Sequence, residues 1–151
     1  DGRFYKIQQF FLNIKRVIVY IPTIWNDRDY DYVFIYRLLQ FKLSMVRKRY
    51  ENNDFFVGQD DAVKHLAECD TILERLLNDN YVENEYDQFE EKWGEVIINK
   101  TFKRANVLTE EDKKQEREDV INLSKLEDDR KNNDKKRLFE ILNDNIEKWW
   151  D

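Results

Sequence analysis

At 151 residues the chain has the length of one domain, and a chain of this size hides roughly 70% of its unfolded surface on folding. Hydrophobic residues at 41% and aromatics at 15% exclude wholesale disorder, although 38% of the residues are charged. Three glycines and one proline are too few for the turns of a sandwich or barrel, so helices are expected, and a net charge of −6 speaks against a general binder of polymeric nucleic acid.

Phe4, Ile7, Phe11, Ile14, Ile18 and Ile21 recur in steps of three and four, with Phe10 and Val17 alongside. They form one apolar stripe at helical period, and Gln8, Asn13, Lys15 and Arg16 take the other side. Pro22 has no backbone donor and is expected to end this first helix. The polar interruptions argue against a signal peptide, and no run approaches the roughly 18 apolar residues of a membrane span. A second helix is expected to begin between Asn26 and Asp31 and to run to about Tyr50. Phe34, Ile35, Leu38, Leu39, Phe41, Leu43, Met45 and Val46 give it a wide apolar face. "ENNDFFVGQD" reads as a loop whose Phe55 and Phe56 fold back onto the core.

A third helix is expected from Asp60 to about Asn78, with Ala62, Leu66, Cys69, Ile72, Leu73, Leu76 and Leu77 as its stripe. A fourth carries Val82, Tyr86, Phe89, Trp93 and Ile97. Gly94 weakens it by up to about 1 kcal/mol and marks a kink or close contact. Residues 103–108 read as a connection. Thr109 is a good N-cap, with Asp112 in the reciprocal place of a capping box. The charged segment 109–137 is expected to be a solvated helix laced with i,i+4 pairs, or a partly mobile stretch. "RKNNDKK" should break it. A last helix from about Asp134 presents Leu138, Ile141, Leu142, Asn145, Ile146 and Trp149. The expected fold is therefore all-α: a single-domain helical bundle of five or six helices spanning residues 1–151.

Most catalytic chemistry is missing. No glycine-rich loop is present to cradle phosphate. His65 and Cys69 stand four apart on one helix and could give two metal ligands, but zinc takes three or four and the chain has no other histidine or cysteine. A Ser/His/Asp site would need Ser44 or Ser124 to reach His65, and neither sits in a nucleophile turn. No metal, no cofactor and no enzymatic activity are expected.

Charge is unevenly placed. Residues 1–50 carry ten Lys/Arg against four Asp, residues 51–100 four against fourteen Asp/Glu, and residues 101–151 twelve against fourteen. The basic first third could receive a small anionic ligand, or pair with the acidic middle within the chain or between copies. Within it, "TIWNDRDYDY" (residues 23–32) can be read as a helix start, with Asn26 as cap and Asp27, Asp29 and Asp31 near the positive end of the dipole. It can also be read as a ligand site. Trp25 and Tyr32 would stack on a base, Arg28, Lys42 and Arg49 would hold phosphate, and Asp31 would accept from a base edge or orient an arginine. Trp149 and Trp150 are candidates for an interface. A basic aromatic first helix could lie on a membrane, but its polar face is weakly charged, and no membrane partner is expected.

Trp25, Asp27, Arg28, Tyr30 and Asp31, followed by "LLQFKLSM" at 38–45 and "WWD" at 149–151, resemble a group of small uncharacterised tailed-bacteriophage proteins. In that group a W-x-D-R-x-aromatic-D box precedes a helix carrying K-L-x-x-M, and a Trp pair lies near the C-terminus. Tyr30 stands where the group often has a second Trp. The resemblance implies a phage accessory protein of the host cytoplasm that binds without catalysis. The most concrete form is a homo-oligomeric sponge for a cyclic nucleotide immune signal. The alternatives are an acidic decoy that inhibits a host protein and a structural helical phage protein.

Overall fold

The computed structural model describes residues 2–25, 31–52, 59–98 and 102–149. Asn26, Asp27, Arg28, Asp29, Tyr30, Phe55, Phe56 and Trp150, all assigned roles above, lie outside the described residues, as does the side chain of Phe4. The described chain is mostly helical: α1 (Gly2–Ile24), α2 (Tyr32–Glu51), α3 (Gln59–Asn78), α4 (Glu83–Trp93) and α5 (Glu110–Asn145). Between α4 and α5 lies an antiparallel pair, β1 (Val96–Ile98) and β2 (Phe102–Arg104), in the register Val96↔Arg104, Ile97↔Lys103 and Ile98↔Phe102.

Three elements depart from expectation, each for a local reason. First, α1 runs two residues past Pro22. A proline in the last turn forfeits one bond close to the helix end, where little remains to be broken. Second, Ile97 belongs to a strand, and residues 103 and 104 of the expected connection belong to its partner, so the chain is mostly helical rather than all-α. Gly94 caps α4 at φ 74°, a left-handed value that favours glycine. A Cβ there would come within 2.9 Å of the Ala105 Cβ. The glycine thus supplies a close contact, and it ends the helix. Third, α5 is continuous through "RKNNDKK". Two asparagines cost a helix only about 0.7 kcal/mol each at most, and no glycine or proline interrupts residues 110–145. The same stretch is also tethered: Lys131 pairs with Asp79 at 2.5 Å, Arg130 donates to the Tyr81 carbonyl and to Glu85 at 2.6 Å, and the Tyr81 hydroxyl donates to Asp134 at 2.9 Å.

The chain divides into two compact units. One comprises residues 78–143. In it Phe89, Trp93 and Val107 form a buried cluster with Leu123 packed against it. Asp119 collects the polar groups around that cluster, accepting from Lys92 Nζ at 2.6 Å, Trp93 Nε1 at 3.0 Å and Gln115 Nε2 at 3.0 Å. Its carboxyl is held below the usual range, chiefly by the Lys92 bond. The Arg104 guanidinium lies 4.5 Å over the Phe89 ring and donates to the Gly94 carbonyl at 2.9 Å, which fastens the strand pair to the end of α4. The capping box forms as expected. The Asp112 amide donates to Thr109 Oγ1 at 3.1 Å, and Asp112 Oδ2 accepts from the Thr109 amide at 2.8 Å.

The other unit comprises residues 1–77 and 144–151. The α3 stripe is buried at Leu66, Cys69, Ile72, Leu73 and Leu76, as its spacing predicts. In α2 only Leu43 and Val46 are fully buried, while Ile35 and Met45 are exposed. Asp70 ties the two helices together. It accepts from Gln40 Nε2 at 3.0 Å and lies 3.8 Å from Arg47 Nη1. Trp149, proposed for an interface, is 4% exposed and belongs to the core.

Candidate functional site

An apolar stripe on a helix ordinarily faces a core. In α1 it does not. At 100° per residue, Ile24, Val17, Phe10, Ile21, Ile14, Ile7, Ile18 and Phe11 fall within an arc of roughly 140°. Phe10, Phe11, Val17 and Ile18 are each about 60% exposed, and the other four are exposed as well. Among the described side chains of the helix the half-buried ones are Gln9, Tyr20 and Thr23, which lie together roughly 140° round the axis from the centre of that arc. Tyr20 sets its ring edge-on to Phe41 of α2 at 4.9 Å. The helix therefore meets its unit through the side that carries Tyr20, and its greasy arc is turned outward.

The size of this face sets it apart. A phenylalanine side chain contributes about 200 Å² when fully exposed, so the arc presents about 700 Å² of apolar side chain, beyond the roughly 300–600 Å² of the largest patch on an ordinary monomer. Covering it would recover about 18 kcal/mol of transfer free energy before ordering costs. Leu12 and Val19 outside the arc are also exposed. No acidic residue occurs in residues 2–25, and Arg3, Lys6, Lys15 and Arg16 are its charges.

Of the site residues in the opening box, Trp25, Asp31 and Tyr32 are described. Trp25 is 78% exposed, at the same angle on the helix as Ile7. Asp31 caps α2, its Oδ1 accepting from the Val33 amide at 3.0 Å, so the helix-start reading applies to it. Tyr32 is exposed and sits edge-on to Tyr36. A cleft of about 390 Å³ does open at the head of α2, lined by Pro22, Asp31, Phe34, Arg37, Gln40 and Asp70 among others. Of the described candidate ligand residues only Asp31 borders it. Lys42 and Arg49 leave α2 about 120–140° round its axis from Arg37 and so do not meet in that cleft. The sequence missed Arg37, Gln40 and Asp70 because three residues apart on α2, and thirty apart in the chain, they form no local motif. With two carboxylates against one guanidinium, the lining does not favour phosphate.

Cys69 is fully buried in the α3 stripe and His65 is half-buried one turn away. Among the described residues no group of three or more His, Cys, Asp or Glu is placed to hold a metal ion. No family model, no curated protein and no solved structure matches the chain. What points to a function is the chain's own surface.

Proposed function

We propose that this chain acts by binding, without catalysis, and that α1 is the docking element. One observation carries this reading: the broadest apolar surface of the helix points away from its own unit, while Gln9, Tyr20 and Thr23 point in. A chain that needed α1 only for its core would gain by turning the helix half a revolution. The setting proposed is the one implied by the bacteriophage resemblance, an accessory protein in an infected host cell. The test is native-state binding of an apolar dye such as ANS. The wild type should enhance its fluorescence, and Phe11→Gln/Ile18→Gln should lose most of the enhancement at unchanged helix content. A native wild type that ignores the dye would refute an available docking face.

Sequestration of a cyclic nucleotide is a second reading, supported by the cleft at the head of α2. Its obstacle is the acidic share of the lining, Asp31 and Asp70. A ligand at a thousandfold excess over Kd would stabilise the fold by roughly 4 kcal/mol. A panel of cyclic nucleotides that leaves the melting temperature unchanged removes this reading and does not touch the first.

A further inference from the structure

We propose that α1 docks on the surface of an anionic lipid bilayer, lying in its plane with the Phe10–Ile18 arc in the headgroup–acyl boundary. The inference rests on the docking reading and names its partner. Among the described residues no helix is long and apolar enough to cross a membrane, so the contact is peripheral.

Charge is the first observation. Residues 2–25 carry four cationic and no acidic side chains. A second copy laid α1 against α1 would set cations against cations, whereas anionic headgroups attract them all. Placement is the second. On the helical wheel Lys6 falls about 20° beyond Val17, level with Ile24, and Lys15 about 40° beyond Phe11, one at each rim of the arc. Both are exposed. From a rim, a lysine lays its stem along apolar surface and lifts its ammonium to phosphate depth.

Shape is the third. The apolar arc is wider than a coiled-coil seam, and from Ile7 to Ile24, at about 1.5 Å a residue, it extends over roughly 27 Å, which suits a plane better than a groove. Trp25, exposed at the end of that face, is a residue type enriched at the membrane–water boundary. Weak charge on the helix's polar side, which argued against a membrane from sequence alone, is offset by Lys6 and Lys15 at the rims of the arc.

The test is flotation of the full chain with vesicles of phosphatidylcholine alone, and of phosphatidylcholine with one part in four phosphatidylglycerol. The chain should float with the anionic vesicles only, and less as salt rises. Lys6→Gln/Lys15→Gln should weaken partition about thirtyfold, from about fivefold per lysine. Phe11→Asp/Ile18→Asp should abolish it, with far-UV circular dichroism confirming the fold of both variants. Failure to float, or flotation undiminished in the lysine variant, overturns the inference. If the chain does not float but sediments as an oligomer that Phe11→Asp/Ile18→Asp dissociates, a second copy covers α1. The lipid inference then falls while the docking reading stands. If it neither floats nor associates, and ignores apolar dye, both fall.

Discussion

Replacing Ile18 with Gln is expected to leave folding stability nearly unchanged, which is unusual for an isoleucine in the middle of a 23-residue helix. Ile18 is 59% exposed, so only about two-fifths of its surface is hidden. Full burial of such a side chain is worth about 1.5–3 kcal/mol, so roughly 1 kcal/mol is at stake. Glutamine returns a few tenths of that through better helix propensity, and a net change of about 0.5 kcal/mol is expected. Leu73 is the contrast. It is fully buried, and Leu73→Ala should cost about 2–5 kcal/mol from lost transfer energy and the cavity left behind. Urea denaturation followed by far-UV circular dichroism measures both, at one dilute protein concentration so that association does not contribute. A loss of about 2 kcal/mol or more for Ile18→Gln, the range of a buried large-to-small change, would mean that the arc is core after all.

Asp119→Ala should cost about 2 kcal/mol. It removes a charged acceptor from the buried Trp93 N–H, worth about 1.5–3 kcal/mol, and a half-exposed Lys92 pair worth little. Asp119→Asn, which keeps an acceptor beside the indole, should cost less, and equal losses would show that the hydrogen bond is not the source. Glu85, Asp112 and Asp119 are held below the usual carboxylate range, chiefly by bonds from Arg130, Thr109 and Lys92 respectively. Depressed folded values mean that the stability they contribute is present above about pH 4, the unfolded value, and is lost as pH falls through the lower folded values. The urea midpoint should therefore fall on acidification below about pH 4, and a rise there would contradict these bonds.

Where apolar spacing and burial coincide, the sequence was readable. The α3 stripe from Leu66 to Leu76 and the reciprocal pair Thr109–Asp112 are local patterns, and both form as their spacing predicts. The α1 stripe has the same spacing as the α3 stripe, but periodicity reports only that one face is apolar. It carries no information on whether that face is turned in or out. What could have been noticed is charge: residues 2–25 lack any acid. The continuity of α5 was hidden for a different reason. Its weak stretch is tethered by Asp79, Tyr81 and Glu85, about fifty residues earlier in the chain, and a local propensity scan gives such partners no weight. The cleft at the head of α2 escaped likewise, because Asp70 reaches it from α3.

The outward face of α1 is tested most directly by thiol labelling. Single cysteines are placed at Ile18 and at Tyr20, with buried Cys69 as the internal control. A maleimide should modify Ile18→Cys at close to the rate of an unfolded thiol, Tyr20→Cys several-fold more slowly, and Cys69 slowest of all. If Ile18→Cys is as protected as Cys69 in a dilute monomer while Tyr20→Cys reacts at once, the helix is turned the other way and no docking face exists.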